Sequence, residues 1–179
     1  MTTPLTLSFG SDHGGLALRR GLSEALKAKG YAILDRGTET EASCDYPDYA
    51  HAVGADVVAG RAKFGILVCT TGIGISIAAN KLRGIRAALV QSADAAGLSR
   101  RHNDANVLCF GAKYVDLPTA LACVEAFLAA DSDQRLKILR ELFDVSLYRR
   151  LTAKLKSDAV AAEREVRDAR AVCAGRLSA

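Results

Sequence analysis

The segment CTTGIGISIAANK, Cys69 to Lys81, places a thiol, two threonines and two glycines between an apolar run, FGILV, and a helical pattern. Gly72 and Gly74 allow the backbone to turn so that successive N–H groups converge at the positive end of the next helix, which makes an anion hole. Nucleotide phosphate loops match poorly: GxxxxGKS/T is absent, and Ile77 stands where the last glycine of GxGxxG belongs. A thiol at a helix N-terminus is a stronger acid than a free one, and Cys69 takes that position. Asp12 and His13, in SDHGG, follow another apolar run. A base beside an anion hole suits removal of a proton α to a carbonyl, with the enediolate oxygen held by N–H groups and by the Thr71 hydroxyl. A small buried hydrophobe beside a tight turn is the other reading of the same residues.

Short apolar runs alternate with helical patterns along the chain, as βα units on a parallel sheet do. Strands are expected over residues 5–10, 31–35, 64–70, 85–90 and 106–111. Helices are expected over 15–30, closed by Gly30, over 47–58, opened by Pro47, over 74–82, over 93–103, and from Leu117 onward with a break at Asp131 to Asp133. The fold class is therefore α/β, a single-domain, doubly wound five-stranded parallel sheet with right-handed crossovers, flanked by helices. Ligands bind such sheets at the carboxyl ends of the strands, where strand order reverses; in the flavodoxin-like order that point lies between the first and third strands. Those ends carry Asp12, His13, Cys69 and Thr71. His102 and Asn103 end a helix that returns to the opposite, amino edge, so within one subunit His102 does not reach Cys69. Either it closes its helix structurally or it completes the site of a neighbouring subunit, which requires a symmetric dimer with two shared sites.

The length, 179 residues, suits one core better than two domains. No apolar run approaches the 18 or so residues of a membrane span, and MTTPLTLSFG lacks the basic start of a signal peptide. Five cysteines without a CxxC pair argue against a disulfide framework or a structural zinc site and suit a reducing cytoplasm. The net charge of +4 comes largely from the final third, where basic and acidic residues alternate, so nucleic acid is not the expected partner. From Leu147 the pattern is a long charged helix with Leu147, Leu151 and Leu155 spaced by four. It has little of its own to bury. The expected division is an α/β body over 1–145 and a helical extension over 146–179 that lies on the body or on a partner subunit.

SDHGG, DYPDYA, CTTGIGISIAANK followed by GIRAAL, and LSRRHNDANVLCFGAK resemble, in order and spacing, blocks of the type B ribose-5-phosphate isomerases and the related galactose-6-phosphate isomerase subunits. The resemblance covers about residues 5–145. It implies a Rossmann-like or flavodoxin-like homodimer, with pairing of dimers into tetramers left open, that interconverts an aldose and a ketose phosphate without metal or other cofactor. It implies Cys69 as the base between C1 and C2, and Thr71 with the Gly72 and Gly74 backbone as the enediolate-holding loop. Asp12 and a partner's His102 match ring-opening residues, while His13, Tyr46 and Asn103 match substrate contacts.

Three departures concern this chain. Thr70 replaces a glycine of the loop, and Lys113 replaces the arginine after the fifth strand. Of two arginines four apart on a later helix, only the second has a counterpart, Arg140; Leu136 takes the first place, between Arg135 and Lys137. Arginine's planar fork binds two phosphate oxygens at once, which lysine cannot do. Lys137 and Arg140, three apart, can still share a face toward phosphate; a solvated helix face is the other reading. The expected substrate is ribose 5-phosphate, converted to ribulose 5-phosphate. The alternatives are another phosphosugar, an unphosphorylated sugar, or a non-catalytic sugar-phosphate-binding module.

Overall fold

A computed structural model of the chain describes residues 4–130, 151, 154–155, 157–164 and 166–167. Its five strands, β1 (Thr6–Ser11), β2 (Ala32–Asp35), β3 (Phe64–Cys69), β4 (Ala87–Leu89) and β5 (Val107–Gly111), form one parallel sheet in the order β2-β1-β3-β5-β4. The helices are α1 (Leu16–Ala28), α2 (Tyr46–Val58), α3 (Ile73–Asn80), α4 (Ala93–Asn103) and α5 (Leu117–Ala129), with a 3-10 turn at His13–Gly15. The three inner strands are almost wholly buried and the two edge strands are half-buried. Strands covered on both faces need continuous apolar sequence, and FGILVC and VLCFG supply it.

Right-handed crossovers decide which face each helix covers. The steps from β1 to β2 and from β4 to β5 run one way, the other two steps the opposite way. Accordingly α1, α4 and α5 cover one face, around Leu22, Leu26, Phe110, Val124 and Phe127. On the other face α2 and α3 pack Val53, Ile75 and Ala79 against Leu67. The period of two along β3 sends Ile66 and Val68 to the first layer and Leu67 and Cys69 to the second. Ser92 and Asp116 cap α4 and α5, accepting from the N–H groups of Ala95 at 3.2 Å and Thr119 at 3.0 Å.

The strand order differs from the flavodoxin order 2-1-3-4-5 in its last two strands. β5 is apolar throughout and fully buried, whereas β4 is three residues of Ala-Ala-Leu, half-exposed; burial therefore places β5 inside and β4 at the edge. The reversal point between β1 and β3 is unaffected.

The chain divides into a unit spanning 1–135 and one spanning 136–179. In the second, the described residues between 151 and 167 are helical and exposed, Leu151 and Leu155 among them, with Lys154 and Asp158 paired one turn apart at 3.9 Å. Helicity of the extension thus holds at those positions. Lys137, Arg140, Leu147 and the break at Asp131 to Asp133 lie outside the described residues.

Candidate active site

Ser11 pairs with Val68 and Cys69 pairs with Gly111, so the ends of β1, β3 and β5 lie side by side. Asp12, the first residue beyond β1, is 5% exposed, and its Oδ1 accepts from the Gly15 N–H at 3.0 Å. This caps the 3-10 turn and leaves Oδ2 as the oxygen available for chemistry. On β3, the Gly72 N–H donates to Cys69 Sγ at 3.1 Å. Gly72 adopts φ 77°, a conformation that L side chains resist, and from it α3 starts. Thr71 Oγ1 accepts from the Ile73 N–H at 3.3 Å.

Gly74 has a different reason from the one expected. It sits in the first turn of α3 without a positive φ; a Cβ there would lie 2.6 Å from the ring of Tyr46, the first residue of α2. The glycine lets that ring close over the helix start rather than letting the chain turn.

His13 belongs to a small polar cluster. The Cys44 N–H donates to its Nδ1 at 3.2 Å, and Cys44 Sγ stands 3.8 Å from the same nitrogen. Burial works against ionisation of Cys44, yet its interaction with the Tyr49 hydroxyl foremost holds its pKa below the ordinary thiol value. Cys109 is the contrast: fully enclosed on the same sheet face as Cys69, it has its pKa pushed up by burial and then by Cys69. The Lys113 N–H donates to the Thr70 carbonyl at 3.0 Å, which fixes that residue beside the Cys69 loop. A hollow of about 370 Å³ lined by Ala112, Lys113, Tyr114, Asp116 and Thr119 opens at this edge.

Asp12, His13, Tyr46, Cys69, Thr71, Gly72, Gly74 and Lys113 therefore share one edge of the sheet. His102 and Asn103 are exposed at the end of α4, just before β5 begins, hence at the other edge. Within one subunit the fold separates them from Cys69, because α4 runs antiparallel to the strands. A larger hollow, about 560 Å³, lies at that amino edge among Arg61, Lys63, Arg86 and Arg100. Its arginines already serve Asp56, Asp104 and the carbonyls of Asp104 and Ala105. The carboxyl edge holds the thiol, carboxylate and imidazole that the sequence points to.

Cys69 is itself 4% exposed. The thiol thus offers little surface in the single subunit, less than the sequence reading requires of a base that must meet a carbon atom. Cys44, Tyr49 and Thr38 were not singled out from the sequence, where DYPDYA pointed only to Tyr46. The signal for a fourth unanticipated group, Arg19, was an arginine on the apolar stripe of α1 with Leu18, Leu22 and Leu26.

The model of the Ribose/Galactose Isomerase family matches residues 7–140. The chain belongs to that family. Ribose-5-phosphate isomerase B of Escherichia coli is 45% identical over 124 residues, 69% of this chain and 83% of that protein. Galactose-6-phosphate isomerase subunit LacB of Clostridium acetobutylicum is 35% identical over 126 residues, 70% of this chain and 73% of that protein. Among solved structures, ribose-5-phosphate isomerase B of Clostridium thermocellum superposes with a TM-score of 0.70 at 42% identity, covering 77% of this chain and 97% of that one. The Mycoplasma genitalium ribose-5-phosphate isomerase B, solved with bound ribulose-5-phosphate, gives 0.69 at 38% identity over 78% and 97% of the two chains. This member of the isomerase family is accordingly an aldose–ketose isomerase of sugar phosphates on a Rossmann-like fold. No helix among the described residues is long and apolar enough to cross a membrane.

Proposed function

We propose that the protein interconverts ribose 5-phosphate and ribulose 5-phosphate through a cis-enediolate, with Cys69 as the base and no metal. The observation that carries this is the Gly72 N–H donating to Cys69 Sγ at the start of α3, which sets the sulfur against the backbone amides of the loop at the carboxyl edge. That amide is then occupied by sulfur. The developing oxyanion falls to the unpaired N–H groups of the first turn, Gly74 foremost, and to the Thr71 hydroxyl. Asp12 opens the ring with His102 supplied by a second subunit, which brings Asn103 with it; His13, Tyr46 and Lys113 contact the sugar phosphate, and the resemblance assigns Lys137 and Arg140 to its phosphate.

An exposed apolar pair on one helix and an exposed leucine on another support the second subunit. Ile73 and Ile77 form one turn-spaced pair on α3, and Leu98 lies one turn from His102 on α4. Docking of α4 from one copy near α3 of another covers these three side chains and brings His102 to the carboxyl edge. Such a dimer also walls the thiol that one subunit leaves almost closed. The reading places the activity in residues 1–145 and the enzyme in the cytoplasm, where free thiols such as the four described ones persist. The 35% identity to a galactose-6-phosphate isomerase subunit, together with Lys113 in place of arginine, favours a different phosphosugar as the second reading.

Incubation with a panel of five- and six-carbon aldose phosphates in deuterated water, with product identification, tests both. Ribulose 5-phosphate as the main product, and its loss in Cys69→Ala, is the expected result. Preference for a six-carbon phosphate selects the second reading, and undiminished turnover by Cys69→Ala rejects the base.

A further inference from the structure

Arg19 is 0% exposed on the inner face of α1, and the isomerisation chemistry has no use for a cation there. Its Nε donates to Ser11 Oγ at 3.0 Å, its Nη2 donates to the Thr38 carbonyl at 2.6 Å, and its Nη1 is ion-paired with Asp35. Nη2 also reaches Glu39 Oε1 at 3.5 Å. One guanidinium therefore ties the end of β1, the end of β2 and the loop after β2. The loop lies directly on it: a Cβ at Gly37 would run into the Arg19 guanidinium. The Thr38 N–H closes the clamp by donating to the Ser11 carbonyl at 3.1 Å.

From Thr38 the linkage continues to the site. The same loop runs on from Thr38 to Cys44, and the Cys44 N–H donates to Nδ1 of His13 at 3.2 Å. A ring nitrogen that accepts from an amide carries no proton, so the neutral imidazole keeps its proton on Nε2, on the side away from Cys44.

The geometry points to Arg19 as a positioning residue: by locking the loop over 36–45 it holds Cys44 against His13 and so presents the Nε2–H of His13 as a donor to an anionic substrate oxygen. This rests on the reading of His13 as a substrate contact and adds the device that orients it. Lysine cannot replace the clamp, because only a planar fork serves Ser11, Thr38 and Asp35 from one point.

Nitrogen-15 NMR of His13 in the substrate-free protein, with kinetics on the preferred phosphosugar, tests the assignment. In the parent protein the ring is expected to show an unprotonated Nδ1 and a protonated Nε2. Arg19→Lys is expected to stay folded by circular dichroism, to mix the two tautomers, and to raise KM about tenfold with kcat within about twofold, the pattern of a lost charge-assisted donor in binding. Gly37→Ala, which presses on the same guanidinium from the loop side, is expected to do likewise and decides the matter if Arg19→Lys does not fold. His13→Gln, which keeps an N–H near the Nε2 position, is expected to retain more affinity than His13→Asn. A parent ring protonated at Nδ1, or clamp variants with unchanged tautomer and KM, overturns the assignment. The NMR arm needs no substrate, so it stands or falls separately from the choice of sugar.

Discussion

As the proposed base, Cys69 is also a side chain of the core. The amide of Gly72 donates to its sulfur, while 4% exposure leaves a substrate carbon only a small face to approach. Cys69→Ser keeps the size but replaces the thiol with a far weaker acid, so kcat is expected to fall by about 10²–10⁴ with the fold intact, as loss of a proton-transfer group does. A fall of less than tenfold at saturating substrate assigns the proton transfer elsewhere. The same logic separates the other thiols. Cys44, half-buried with its pKa lowered, is expected to react with iodoacetamide at neutral pH well before Cys109, which is enclosed with its pKa raised; peptide mass mapping reads the order. Cys69 and Thr71 were legible because their types and spacing imply chemistry by themselves. Cys44 was not, since nothing in ASCDYP says that its amide meets a histidine 31 positions earlier.

At the scale of elements, Gly72 is where local backbone and chemistry coincide. A Cβ at this left-handed position costs about 1–2 kcal/mol in backbone strain, and it would also lie 2.8 Å from the Gly111 amide, which cannot move aside. Gly72→Ala is therefore expected to lower the melting temperature and, by shifting the amide that faces Sγ, to depress kcat as well; a variant with parental kcat removes that amide from the mechanism. Between elements, the buried carboxylate of Asp56 accepts from Ser8 on β1, Arg36 after β2 and Arg61 after α2. The Arg36 hydrogen bond, then those of Arg61 and Ser8, outweigh desolvation and lower its pKa from 3.8 to about 2. A carboxylate pKa lowered in the folded state adds stability that is complete above the unfolded value and is lost as pH falls from about 4 through about 2. The contribution is on the order of 2 kcal/mol. Asp56→Asn is expected to unfold that much more easily in urea at pH 7, with the difference shrinking toward pH 2; a gap that stays constant over this range assigns the loss to packing instead.

For the whole molecule, the separation of His102 from Cys69 is the feature with the largest consequence. If each site takes His102 from a second copy, mixing the inactive variants Cys69→Ala and His102→Ala is expected to restore about a quarter of parental activity, because random exchange makes half the molecules heterodimers with one intact site each. No recovery, with heterodimers demonstrated by mass spectrometry, assigns His102 to closing its helix. The order of elements along the chain was legible from periodicity, and α4 falls on 93–103 as expected. The lateral position of β5 was not, because it depends on which strand finds cover on both faces.

The sequence by itself determined the alternation of strands and helices, the right-handed winding that follows from it, and the thiol–glycine loop at the end of β3, since these depend on residue type and on neighbours a few positions away. Tertiary structure alone decided that Gly74 yields to Tyr46, that Arg19 clamps the loop carrying Cys44, and that Cys69 is nearly closed to solvent. Each of those is a contact between residues far apart in the chain, set by how helices pack on the sheet and carried by no local pattern.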